Sequence, residues 1–205
     1  VIIPDVLNDP VIDVAEDTVS YLIVNSDGSL SIGDNSLITR NIDNSGTISL
    51  VSGSLTVTAN ISNSGSLECA SEASIYVAGN WSNTGTFDAG ESTVYFNGGN
   101  QTIFGDTTFY NLTKDISLDE TRILTFEAGS TQIVENDLIL TGALGKVLYL
   151  RSSIDGSRWF IDVQNGESGS IFDYLDVKDS YNMDTAELGV IDPDNSTNSG
   201  HNWNW

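Results

Sequence analysis

Apolar residues in this chain come in pairs spaced two apart, and the pairs return at a nearly constant interval marked by glycines. Gly28, Gly46, Gly65, Gly85 and Gly105 are separated by 18, 19, 20 and 20 residues. Two and four residues after the first four of them stand Leu30 and Ile32, Ile48 and Leu50, Leu67 and Cys69, Phe87 and Ala89. A period of two is that of a strand with one buried face. A second such strand follows in three of the units, with Leu55 and Val57, Ile75 and Val77, and Val94 and Phe96 turned inward. Ile42, Ile61 and Trp81 supply a third inward position ahead of the next glycine. The pattern predicts three short strands per unit and almost no helix.

A single unit has too few apolar side chains to offset the entropy of ordering it. Stacking removes the difficulty: at the strand spacing of about 4.8 Å, each Leu, Ile or Phe lands on its equivalent in the neighbouring coil and the core becomes continuous. Each coil must then leave the stack at the same corner, which accounts for a repeated turn such as Asn63-Ser64-Gly65 and Asn83-Thr84-Gly85. Asn44, Asn63 and Asn83 stand two residues before the marker glycine. Asn tolerates and Gly freely adopts left-handed backbone, the conformation expected at this corner. Stacked Asn side chains are also expected to form an amide ladder along the axis.

The segments "GSLSIGDNS", "GTISLVSGSLTVTANISNSGSL" and "VAGNWSNTGTFDAGESTVYFNGGNQTIFGDTTFYNLTK" resemble repeats of the right-handed parallel β-helix proteins of microbial surfaces, adhesin-like and filament-like members of the pectin-lyase-like superfold. "LYLRSSIDGSRWFIDV", "SIFDYLDVKDS" and the ending "SGHNWNW" resemble the closing part of such repeats. The resemblance implies an all-β, right-handed parallel β-helix, a solenoid with about 18 to 24 residues per coil. It implies no particular activity, because this superfold hosts lyases, hydrolases, adhesins and inert stalks.

Residues 1 to 16 precede the clear repeat, and Pro4 and Pro10 argue against a helix there. "VIIPDVLNDPVIDV" reads as an extended segment, a candidate strand for pairing between subunits. The β-helix domain is expected over 17–205, with regular coils to about residue 112 and degenerate coils with a C-terminal aromatic plug after it. The interval from Gly105 to Gly129 is 24 residues, and "TKDISLDET" within it reads as a loop excursion. A separate small β domain from about residue 143 is the alternative to continuing coils.

Charge removes several functions. The 205 residues hold 29 Asp and Glu against 7 Lys and Arg, a formal net charge of −22 that repels nucleic acid and anionic membranes. No stretch approaches the roughly 20 apolar residues of a membrane helix. The chain opens on Val1 without a signal peptide or initiating Met, as expected of a processed chain or an excised fragment. Acidic, Ser/Thr/Asn/Gly-rich composition suits a surface or extracellular protein. Like charge also keeps a repetitive β protein soluble and discourages edge association.

Candidate chemistry is sparse. His201 is the single histidine, so no His cluster for zinc and no Ser-His-Asp or Cys-His set is evident. Cys69 shares an inward row with Leu67 and reads as a small buried hydrophobe. Polysaccharide lyases of the superfold combine acidic calcium ligands with a basic proton acceptor, which directs attention to Arg151, Arg158 and Lys178 near Asp155, Asp162, Asp173 and Asp176. The plainer reading of these arginines is pairing with aspartates between coils. "DPDNSTNSG", Asp192 to Gly200, is rich in oxygen ligands suited to calcium, without EF-hand spacing. Asn60, Asn80, Asn100, Asn111 and Asn195 are Asn-x-Ser/Thr acceptors. Trp203 and Trp205 suit an aromatic plug or a sugar-stacking pair. A flat threonine array for binding ice fails, since Thr56 and Thr58 are followed by Tyr76 and Ala78 one coil on.

The sequence therefore predicts a non-enzymatic, extracellular or cell-surface structural protein, with no catalytic, cofactor or metal residue assigned. Its expected partners are copies of itself, head-to-tail, and surface glycans, with neither nucleic acid nor membrane insertion. A carbohydrate-active β-helix, lyase or glycan-binding, is the alternative.

Overall fold

The computed structural model describes residues 1–3, 16–118, 120–165, 168–183 and 190–205. Every regular element among them is a strand. The strands form long parallel stacks, and the fold is an all-β parallel β-helix. Two compact units divide the chain, Val1–Tyr95 and Phe96–Trp205.

In the first unit three stacks run side by side. One holds Ser29–Gly33, Thr47–Leu50, Ser66–Cys69 and Thr86–Asp88. The long strand Ser36–Asn44 serves the other two, its first half pairing with Ser54–Val57 and its second with Ile61–Asn63. Ser74–Val77 and Trp81–Asn83 extend those stacks by one coil. Equivalent residues face one another, with Ile48 on Leu67, Leu67 on Phe87, Leu55 on Ile75 and Ile61 on Trp81.

All seventeen inward residues read from the alternation are buried in the core. For the large aliphatic and aromatic side chains among them, burial contributes about 1.5 to 3 kcal/mol each.

The corner differs from the expectation in its cause. Asn44, Asn63 and Asn83 do not carry positive φ, and neither do Gly46, Gly65 and Gly85. These glycines are required by packing: a Cβ on Gly65 would collide with the carbonyl oxygen of Gly46, and one on Gly85 with that of Gly65. The corner is tight because successive coils approach backbone to backbone, where only hydrogen fits. The amide ladder does form. Asn44 Nδ2 donates to Asn63 Oδ1 at 2.7 Å, 19 residues on, and Asn63 Nδ2 to Asn83 Oδ1 at 2.8 Å, 20 residues on.

The second unit keeps three parallel stacks with longer coils. Gln101–Phe104, Arg122–Phe126, Leu148–Ser152 and Leu175–Val177 form one; Thr107–Phe109, Thr131–Val134, Trp159–Val163 and Ser180–Asn182 the second; Asn111–Asp115, Leu138–Thr141 and Ile171–Asp173 the third. The strands expected after Gly142 thus continue the stack. Equivalent contacts now span 25 residues between Asn136 and Asn111 and 32 between Leu138 and Ser170, the added length lying in turns between strands. The expected excursion at 113–121 is shorter than its limits suggest, because Thr113, Lys114 and Asp115 belong to a strand.

Of the expected N-terminal segment, residues 4–15 lie outside the described residues. Ile2–Ile3 pairs in parallel with Ile23 and Val24 of the same chain, and the backbone N–H of Ile23 donates to Val1 O at 2.9 Å.

Candidate functional site

The basic residues singled out in the sequence are joined to neighbours one coil away. Arg151, on Leu148–Ser152, faces the adjacent strand Leu175–Val177, and its Nη2 meets Asp176 Oδ1 at 2.8 Å. Its Nη1 donates to Asp176 O at 2.6 Å and to Leu150 O at 2.9 Å, and the guanidinium lies 4.7 Å from the Tyr149 ring centre. Lys178 pairs with Asp155. The hydrogen bond from Lys178 and its charge hold the Asp155 carboxyl below the usual carboxylate range, and the same bond raises the Lys178 ammonium above its own. Arg158 donates from Nε to the carbonyl of His201 at 3.2 Å and lies 5.4 Å from the Tyr181 ring centre. Asp173 accepts from Asn195 Nδ2 at 2.9 Å, while Asp162 lies in the strand Trp159–Val163 opposite Ile133.

A second acid and base pair escaped the sequence reading. Asp179 is 2% exposed, and its carboxylate takes the Nδ1 side of His201 at 2.8 Å and the Gly156 N–H at 3.0 Å. Both residues adopt left-handed backbone, φ 59 and 60 degrees. The separation is 22 residues, one coil of this unit, so the coil length was the available signal.

Lys114 is the other unforeseen group. It is fully buried, with Nζ 2.8 Å from Gly98 O, 2.9 Å from Gly99 O, 3.3 Å from Phe96 O and 2.5 Å from Gln101 Oε1. Burying an ammonium is expensive unless hydrogen-bond acceptors replace its water, and this turn supplies four. Alternation held the clue: Lys114 shares the inward parity of Leu112 and pairs in register with Leu140.

The two C-terminal tryptophans have separate places. Trp205 packs edge-on against Trp159 and Phe172, with centroids 6.1 and 6.4 Å apart, as a plug would. Trp203 is 54% exposed and stacks on Tyr181 at 6.2 Å, continuing an outer column begun by Phe160. Beside the plug, Asp192, Ser196, Asn198, Asn202 and Trp205 help to line an open pocket of about 170 Å³. Among the described residues no group of three or more His, Cys, Asp or Glu is placed to hold a metal ion.

The Asn-x-Ser/Thr acceptors mostly bind the next coil. Asn60 Oδ1 accepts the Asn80 N–H at 2.8 Å, Asn100 Oδ1 that of Ile123 at 2.9 Å, and Asn111 Oδ1 the Asn136 side chain at 2.8 Å. Asn195 is exposed. Cys69 is buried, and burial pushes its thiol up to about 11, with the Ser92 hydrogen bond opposing and Asp88 adding to the rise. Such a thiol is a poor nucleophile. Thr56 and Tyr76 pair directly, so the threonine row is interrupted.

No family model matches the chain, and no curated protein and no solved structure matches it.

Proposed function

We propose that this protein is structural, an extracellular or cell-surface β-helix that serves as a self-assembling filament or sheath subunit or as a module of an adhesin. The observation that carries the reading is the contact between Arg151 and Asp176. The basic residue best suited to proton abstraction from a sugar acid is committed to a carboxylate and two carbonyls of its own stack. The asparagine ladder and the Lys178 pair likewise connect one coil to the next. Polar chemistry used in this way strengthens a stack.

Head-to-tail association by strand addition is the assembly mode, with surface glycans as a second partner class. Val1 and Ile2 are 59% and 62% exposed, and the ladder that holds them to the chain is only two residues long, so an apolar edge is presented. Parallel strand addition satisfies backbone groups and covers such an edge. Contacts of this kind are heterologous and propagate without closing.

Electron microscopy of the purified chain, with and without calcium, beside the chain lacking residues 1–14 tests assembly. Polymers are expected from the full chain alone. A monomer at high concentration, or equal polymerisation after truncation, removes strand donation from the account. Incubation with acidic polysaccharides and calcium, read by the ultraviolet absorbance of unsaturated ends, tests the enzyme alternative. A signal there overturns the structural reading.

Glycan binding is favoured by one observation, the exposed Trp203 stacked on Tyr181. Quenching of tryptophan fluorescence by an oligosaccharide in the chain, lost in Trp203→Ala, is its test.

A further inference from the structure

The second unit begins with the turn Asn97-Gly98-Gly99-Asn100, followed by the strand Gln101–Phe104. An Asn-Gly pair is the sequence most prone to spontaneous succinimide formation, because glycine leaves its own nitrogen unhindered. Asn97 is exposed, so water has access to the site. What sets this pair apart is how its backbone is held. Lys114 Nζ grips the carbonyls of Phe96, Gly98 and Gly99, at 3.3, 2.8 and 2.9 Å, and Gly98 N–H donates to Gln101 Oε1 at 3.1 Å. Gln101 Oε1 itself lies 2.5 Å from the same ammonium. Four consecutive peptide planes, from Phe96–Asn97 to Gly99–Asn100, are therefore each fixed by one polar contact.

We propose that Asn97 is a latent deamidation site kept closed by Lys114. The reaction would have the Gly98 nitrogen lose its proton to hydroxide and attack Asn97 Cγ. The new N–C bond forms as the side-chain amide leaves as ammonia. Water then opens the cyclic imide at either carbonyl, giving aspartate or isoaspartate. Attack requires the Gly98 peptide plane to rotate so that its nitrogen faces Cγ. Rotation breaks the bond to Gln101 and strains the two flanking planes that the ammonium holds. The nucleophile is present and solvent reaches it, yet the motion that joins them is blocked.

The buried cation has an opposing effect, since a nearby positive charge favours the amide anion that attacks. The two effects predict opposite outcomes for removal of the charge. Restraint acts through four separate contacts and requires an acceptor to be released before any attack geometry exists, so restraint decides.

The test is peptide mass spectrometry of the intact chain aged at mildly alkaline pH, following Asn97 and, as a reference in the same molecule, the exposed Asn165, which also precedes a glycine. Asn97 is expected to deamidate at least about tenfold more slowly in the folded chain than in the same chain in urea, the rate equivalent of one retained net hydrogen bond. Lys114→Met and Gln101→Leu are each expected to accelerate Asn97 without changing Asn165. Gln101→Leu leaves the three carbonyl contacts of Lys114 in place, so it remains informative if Lys114→Met does not fold. Equal Asn97 rates in folded and unfolded chains overturn the proposal. So does a folded variant in which Asn97 ages no faster, or a Lys114→Met chain in which it ages more slowly.

Discussion

The side-chain amide of Asn63 is held on both sides by its own kind: its oxygen accepts from Asn44 at 2.7 Å, and its nitrogen donates to Asn83 at 2.8 Å and to the Thr86 carbonyl at 2.9 Å. All three asparagines are buried. Each therefore depends on the next coil for satisfaction that water would otherwise provide.

Asn63→Ala is expected to destabilise the fold by about 2 to 4 kcal/mol, since it removes three hydrogen bonds and leaves buried partners short of contacts. Asn63→Asp should be worse than a conservative change suggests, because a carboxylate cannot donate to Asn83 Oδ1. Urea denaturation of the two variants checks both.

The glycine corner gives a sharper test, because its cause is steric and not conformational. Gly65→Ala should be severely destabilising although the backbone there lies outside the left-handed region, since the added methyl meets the Gly46 carbonyl. Gly145 has φ 78 degrees and open space around a would-be Cβ. Gly145→Ala is expected to cost only about 1 kcal/mol, the penalty of left-handed backbone alone. Comparable losses at the two sites in thermal melts would mean that crowding between coils is not what selects glycine at residue 65.

Val77 is fully buried in the core of the first unit and pairs in register with Val57 of the neighbouring coil. Val77→Asp places an unpaired charge there, at several kcal/mol against a total stability of about 5 to 15 kcal/mol. The expected result is an unfolded chain by circular dichroism.

For the Asp155 and Lys178 pair the signs run in opposite directions. The Asp155 carboxyl is depressed, so its contribution is present above the unfolded value, about 3.9, and is lost as pH falls through the lower folded value. The Lys178 ammonium is raised, so its contribution is present below about 10.4 and is lost as pH rises through the higher folded value. The pair is exposed and screened by salt, so the effect on stability is small. Titration of Asp155 by NMR is the sensitive measurement, and Lys178→Met should return it to the ordinary carboxylate range.

Alternation and glycine spacing made the stack legible, because burial imposes a period of two on every strand and the coil imposes its length on the corners. Ile61 opposite Trp81 and Leu67 opposite Phe87 follow from those two numbers alone. The origin of the glycines was not legible. A residue chosen for left-handed backbone and one chosen for close approach are the same letter. Lys114 was hidden for a related reason: a charged residue in a strand reads as outward, and its acceptors include backbone carbonyls of Gly98 and Gly99, which no side-chain pattern announces. Asp179 and His201 needed the coil length at a place where the glycine interval had become irregular.

The sameness of corners in the first unit bears on how such a chain changes over generations. A copying slip that duplicates or deletes one whole coil there leaves asparagine opposite asparagine and isoleucine opposite an aliphatic or aromatic neighbour, as Ile42, Ile61 and Trp81 already illustrate. A slip of two or three residues breaks every contact at once. Length in that unit is thus free to vary in whole steps. In the second unit it is not, since Lys114 sits opposite Leu140 and its cage belongs to the single turn at Gly98 and Gly99, so a copied coil would carry a cation with no turn to receive it.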